Sequence, residues 1–218
     1  MADLSLQRVG PTYGGTGTAT PFRGEITGAQ VVSDGHGHYW EAVRTGNVYS
    51  LSGRALTLAA GQGYAQAANA TINFAFWNPS NTGKLLSLLK FIFCTLSGTP
   101  AAGEVNYQIS AGNVITSTAN GTHVNNLTGS IAGSAAKSWV KASAAAIAGT
   151  VAFNDLRPAF SSLAVIANAQ QQAVVNVDNL DGEIILQPGM AFTFGVGGAG
   201  TTHVASVGLV WEEIPFLT

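Results

Sequence analysis

Alternation of apolar and polar positions dominates much of the chain. Thr71–Trp77 reads TINFAFW, which places Ile72, Phe74 and Phe76 on one face of a predicted strand. Asn78–Lys84 (NPSNTGK) has the composition of a turn. Leu85–Leu96 is then almost continuously apolar, so period alone does not separate a buried strand from a buried helix. The β-prone run Phe91-Ile92-Phe93-Cys94-Thr95, with turn residues on both sides, favours a strand. Being apolar on both faces, it belongs in the middle of a sandwich or at a contact between subunits.

Further strands are predicted along the chain. Glu104–Ser110 and Asn113–Thr118 read as a hairpin about Ala111-Gly112. Ser162–Asn168, Ala173–Asp178 and Glu183–Leu186 follow, with Asn179–Gly182 (NLDG) as a turn between the last two. Gln187-Pro188-Gly189 has Pro and Gly where a type II turn wants them. Met190–Val196 and His203–Glu212 are the final strands, joined through a glycine-rich loop. The Ala-rich stretch 130–150 fits a helix by propensity or a strand at Lys137–Ala142, and the strand with a short helical turn is preferred. Turn signals at short intervals and no fixed repeat predict an all-β chain, a jelly-roll-like antiparallel β-sandwich over residues 25–218.

Residues 1–24 differ. GPTYGGTGTATPFRG is rich in Gly, Thr and Pro and offers little to bury, so it reads as an extended N-terminal arm. Tyr13, Phe22 and Arg23 are its candidate partner-binding residues. A floppy terminus is the plain alternative.

Composition sharpens this picture. Of 218 residues, 46% are hydrophobic and only 9% are charged, against roughly a quarter in ordinary domains. Charges normally keep a free protein apart from its neighbours, so an assembly subunit is expected, with a neutral secreted domain as the alternative. The net charge is −2, without basic clusters, which argues against nucleic acid as a partner. The single cysteine, Cys94, excludes an internal disulfide. The first residues show no signal-peptide pattern, and the longest apolar stretch is too short to span a bilayer as a helix, so no membrane partner is expected.

Candidate chemistry is sparse. His36 and His38 in DGHGH would share a strand face and ligate a metal with Glu41, His123 or His203, but the flanking glycines suit a polar loop, and no metal is expected. Glu212 and Glu213 are adjacent and face opposite sides of a strand, so they cannot pair as glycosidase carboxylates. They read as a polar strand end before Pro215. Asp178, Asp181 and Glu183 form an acidic turn with too few ligands for an EF-hand. No G-x-S-x-G elbow, P-loop or dinucleotide fingerprint is present, and Cys94 lies in an apolar run. Neither enzymatic activity nor a cofactor is expected. Tyr39, Trp40, Trp77, Trp139 and Trp211 would make a sugar-stacking platform if exposed, but aromatics in a sandwich belong more often to a core or interface.

Three segments carry a resemblance: GAQVVSDGHGHYWEAVRTGNVYSLS (28–52), FWNPSNTGKLLSLLKF (76–91), and DNLDGEIILQPGMAFTFGV running on to VGLVWEEIPF (178–216), with Leu156-Arg157-Pro158 between the last two. In this order they resemble a family of virion structural proteins of tailed phages and prophages. The resemblance implies a non-enzymatic protein located in the virion and assembled in the host bacterial cytoplasm. Its expected partners are copies of itself, with a trimer favoured, and the major capsid protein or other virion proteins. A capsid decoration (cement) protein on the head exterior is the expected role. The alternative is a receptor- or carbohydrate-binding appendage such as a head fibre, tail or baseplate protein.

Overall fold

The computed structural model describes residues 39–58, 71–98, 104–112, 114–161, 174–196 and 203–216. The chain divides into two compact units, Met1–Trp40 and Glu41–Thr218. Of the first only Tyr39 and Trp40 are described, so the expected arm and its boundary at residue 24 lie outside the described residues.

The second unit is almost entirely strand. A one-turn helix, α1 (Trp40–Arg44), is stopped by Gly46 at positive φ, whose N–H bonds back to the Val43 carbonyl. There follow β1 (Val48–Leu58), β2 (Thr71–Trp77), β3 (Lys84–Gly98), β4 (Glu104–Ser110), β5 (Val114–Ile115), β6 (His123–Asn125), β7 (Lys137–Ala146), β8 (Gly149–Thr150), β9 (Asn154–Ser161), β10 (Val174–Leu186), β11 (Ala191–Val196) and β12 (His203–Pro215).

Strand order identifies the architecture. One layer runs β10-β3-β12-β1 and the other β2-β11-β4-β9. The chain therefore alternates between layers, except where β4 and β9 lie side by side, and neighbours within each layer are antiparallel. This is the wiring of an eight-stranded jelly roll. β7 adds a fifth strand beside β2 and touches β1 through one parallel pair, Thr57↔Ser143, joining the layers at one corner. The fully buried Asn73 braces that corner, its Nδ2 donating to the carbonyls of Thr57 and Lys141.

Aromatic rings fill the space between the layers. Phe76 of β2 lies 4.6 Å from Trp211 of β12, and Phe91 of β3 lies 5.3 Å from Tyr107 of β4 and 5.6 Å from Phe194 of β11. The outer face of the second layer is covered as well. Ile115, Ile147, Val151 and Phe153, from the insertion between β4 and β9, pack with Ala75, Trp77, Trp139 and Ala191 in a separate core. That cover explains why β11 is buried at every position.

Several expectations need correction. Residues 114–115 pair with β8 and not with β4, so no hairpin forms at Ala111-Gly112. The two strands expected around NLDG are one strand, β10, both halves of which pair with β3 across a register shift that holds Asp181 and Gly182 at positive φ. Ile72 joins the outer core and not the face of Phe74 and Phe76, because the β2–β7 register shifts between Ile72 and Phe74. The stretch at Lys137 is a strand, now extended to Ala146. The strand expected at 162–168 lies outside the described residues. The turn at Gln187-Pro188-Gly189 forms as expected, with Gly189 at positive φ and the Met190 N–H on the Gln187 carbonyl.

Candidate functional site

Three of the motifs singled out in the sequence, NPSNTGK, QPGM and WEE, meet in one cluster of the sandwich. The β2–β3 turn and the β10–β11 turn meet there through Asn78, which is fully buried. Its side-chain amide donates to the carbonyls of Lys84 (2.7 Å) and Leu186 (2.9 Å), its Oδ1 accepts from Thr82, and its backbone pairs with Met190 and Gly189. One asparagine thus satisfies groups that two tight turns would otherwise leave buried and unpaired.

Glu213 of β12 sits beside it with only 1 % of its surface exposed. Its Oε2 faces Lys84 Nζ at 2.7 Å, while Oε1 accepts from Ser134 Oγ and the Ala135 N–H, both at 2.8 Å, and from Trp211 Nε1 at 3.5 Å. The polar strand end expected for Glu212-Glu213 is therefore half right. The two residues do face opposite sides, but Glu213 is a buried, fully bonded carboxylate.

The network continues to His123 of β6. Ser134 gives its single proton to Glu213, so it accepts from His123 Nδ1–H at 3.1 Å. The neutral ring then accepts at Nε2 from the Ser138 hydroxyl at 2.7 Å. Burial holds the imidazole neutral by lowering its pKa to about 4, against the opposing pull of the Glu213 carboxylate. Trp211 packs edge-on to it at 5.0 Å. A cleft of about 390 Å³ opens alongside, lined by Gly121, Thr122, Ile131, Gly133 and Lys137 together with the network itself.

A serine, a histidine and a carboxylate in hydrogen-bonded series suggest an acyl-transfer relay. The geometry argues otherwise. Ser138 is completely buried, with Gly121 packed so close to its hydroxyl that not even a Cβ fits between them. A hydroxyl intervenes between ring and carboxylate as well. The arrangement braces the insertion against β12.

A second cluster joins the edge strands of the two layers. Arg157 of β9 reaches Glu183 (2.9 Å) and Asp178 (3.4 Å) of β10, and lies over the Tyr107 ring, whose hydroxyl donates to Asp178 at 2.9 Å. Burial and the Asp178 carboxylate push the Tyr107 pKa well up. The acidic turn of Asp178, Asp181 and Glu183 therefore serves an arginine: Asp178 and Glu183 are both engaged.

The remaining candidates are dispersed. Tyr13, Phe22, Arg23, His36 and His38 lie outside the described residues. Glu41 pairs with Arg44, and His203 bonds Thr95 within the core. Among the described residues no group of three or more potential metal ligands comes together. Trp77, Trp139 and Trp211 are buried, which removes them from any sugar-stacking platform. The His123–Ser134–Ser138 series had no signal in the sequence beyond a lone histidine. Arg157 stood only in the Leu156-Arg157-Pro158 segment, which carried no strand signal.

The fold and these two clusters define a braced all-β jelly roll. No protein family matches the chain, and no curated protein or solved structure matches it.

Proposed function

We propose that the chain is a structural subunit of a tailed-phage virion, a decoration or cement protein that binds the outer surface of the head. It acts as a homo-oligomer, a trimer being favoured, and contacts the major capsid protein, with the arm residues Tyr13, Phe22 and Arg23 contributing to attachment. One observation carries this reading. The polar clusters are consumed in bracing the fold, while β10 exposes the large apolar side chains Val175, Val177 and Ile185 on the outer face of its layer, which is what an assembly contact offers. The resemblance to virion proteins supports it further, because its motifs fall on those braces: NPSNTGK, QPGM and WEE meet at Asn78 and Glu213, and LRP meets DNLDGE at Arg157.

The test is a quantitative gel of purified virions that encode the chain. Copy numbers on the order of hundreds per particle, as repeated capsid symmetry demands, are expected. A few to a few dozen copies would favour an appendage, and absence from the particle would overturn the reading.

A further inference from the structure

The segment between β5 and β6 holds the chain's only Asn-Gly pair, Asn120-Gly121. In an unrestrained polypeptide this pair is chemically short-lived, because a glycine nitrogen with no Cβ beside it can swing onto the asparagine side-chain carbon. Here both reacting groups are held. Asn120 Nδ2 donates to the Val140 carbonyl and Oδ1 accepts from the Val140 N–H, each at 2.7 Å, so the side chain serves Val140 as a paired strand residue would. The backbone N–H groups of Asn120 and Gly121 both donate to the Ser138 carbonyl, at 3.0 and 3.2 Å. Asn120 is nonetheless exposed, so water reaches it.

We propose that Asn120-Gly121 is a latent deamidation site, held closed by these bonds to β7 and opened when the segment lifts from that strand. In the lifted segment the Gly121 nitrogen bonds to Asn120 Cγ, the Cγ–Nδ2 bond breaks, and ammonia leaves with the proton from Gly121. Water then opens the succinimide at either carbonyl, giving aspartate or isoaspartate. Neither product rebuilds the closed state. A carboxylate has no hydrogen to give the Val140 carbonyl and sets a negative charge against it. Isoaspartate also lengthens the main chain just before Gly121, which already packs against the Ser138 hydroxyl too closely to admit a Cβ. The displacement passes to the bond from Ser138 to His123, and from His123 through Ser134 to Glu213. Conversion is therefore one-way: each opening exposes the pair to it, and each conversion favours further opening.

The full chain is aged at mildly alkaline pH, folded in one sample and unfolded in urea in the other. Position 120 is followed by peptide mass spectrometry, with aspartate and isoaspartate separated by chromatography. Conversion is expected in urea, and at least about tenfold more slowly in the folded chain, where it waits on local opening. Asn120→Asp, which mimics one product, is expected to exchange its Gly121 amide hydrogen faster than wild type, with exchange in β3 unchanged. Equal conversion rates in the two samples would overturn the proposal, since the bonds to β7 would then restrain nothing. An Asn120 that stays intact in urea would overturn it as well, as would a folded Asn120→Asp whose Gly121 exchanges at the wild-type rate. The ageing comparison uses wild type alone, so it decides the proposal even if the variant fails to fold.

Discussion

Glu213→Gln is the sharpest probe of the braced end. The substitution keeps the shape and removes the charge. Oε1 faces three donors and Oε2 faces an ammonium, so an amide NH₂ must meet a donor in either orientation. One buried N–H without an acceptor costs about 1–3 kcal/mol. The lost pairing with Lys84 adds only about 1 kcal/mol, since that amine is about a third exposed and re-enters water. The sum is about 2–4 kcal/mol, a fall in melting temperature of roughly 5–12 °C for a chain of this length. Glu212→Gln, the same chemical change one residue earlier on the other face, should stay within about 0.5 kcal/mol. Equilibrium urea unfolding of both variants decides it. A Glu213→Gln loss below that level, or equal losses for the pair, would refute the account of Glu213 as a load-carrying brace.

Other outcomes follow from the same geometry. Gly121→Ala must displace the Ser138 hydroxyl from His123 and should destabilise by about 2–4 kcal/mol, with Ser138→Ala in the same chain recovering part of the loss; a silent Gly121→Ala refutes the close packing. The folded His123 pKa of about 4 lies below the unfolded value of 6.5, so the unfolded chain binds the extra proton and stability falls as pH drops through that window. The difference between wild type and His123→Asn should change by up to about 3 kcal/mol between these limits, and parallel curves would contradict it. Tyr107 behaves oppositely: its folded pKa is raised, so its contribution is present below pH 10 and lost as pH rises beyond it, and Tyr107→Phe should flatten the alkaline limb of a stability profile. Arg157→Met removes the tie between the edge strands and should speed hydrogen exchange in β9 and β10 more than in β12; uniform acceleration would argue against a local seam.

Much of the fold was legible because its strands are short β-prone runs bounded by turn residues, and in β12 because burial on one face writes itself as period two. β2, β4, β11 and β12 fell close to their predicted limits. Elements whose strand character comes from partners were not legible. β1 mixes Ser, Gly and Arg with its apolar positions, and its conformation is fixed by β12 on one side. β9 contains Pro158, which suggests a break, yet an edge strand tolerates proline where its nitrogen faces away from the ladder. The NLDG turn carried the right local signal, positive φ at Asp181 and Gly182, but local signal does not distinguish a bulge from a hairpin. The braces were half visible. Two charges in apolar strands, Lys84 and Glu213, mark a pair, whereas no pattern connects His123 to serines at 134 and 138.

The jelly-roll wiring also orders events during synthesis. β1 and β3 are both neighbours of β12, and β12 is the last described strand to leave the ribosome. Until then β1 has no long partner in its own layer, and the apolar β3 lacks one of its two neighbours. Nearly every ladder therefore waits on distant chain, the regime of high contact order and slow folding. A nascent chain of this kind holds its apolar β3 without its β12 neighbour while about a hundred further residues are made, which makes its folding in a cell sensitive to chaperone capacity and to translation speed after β3.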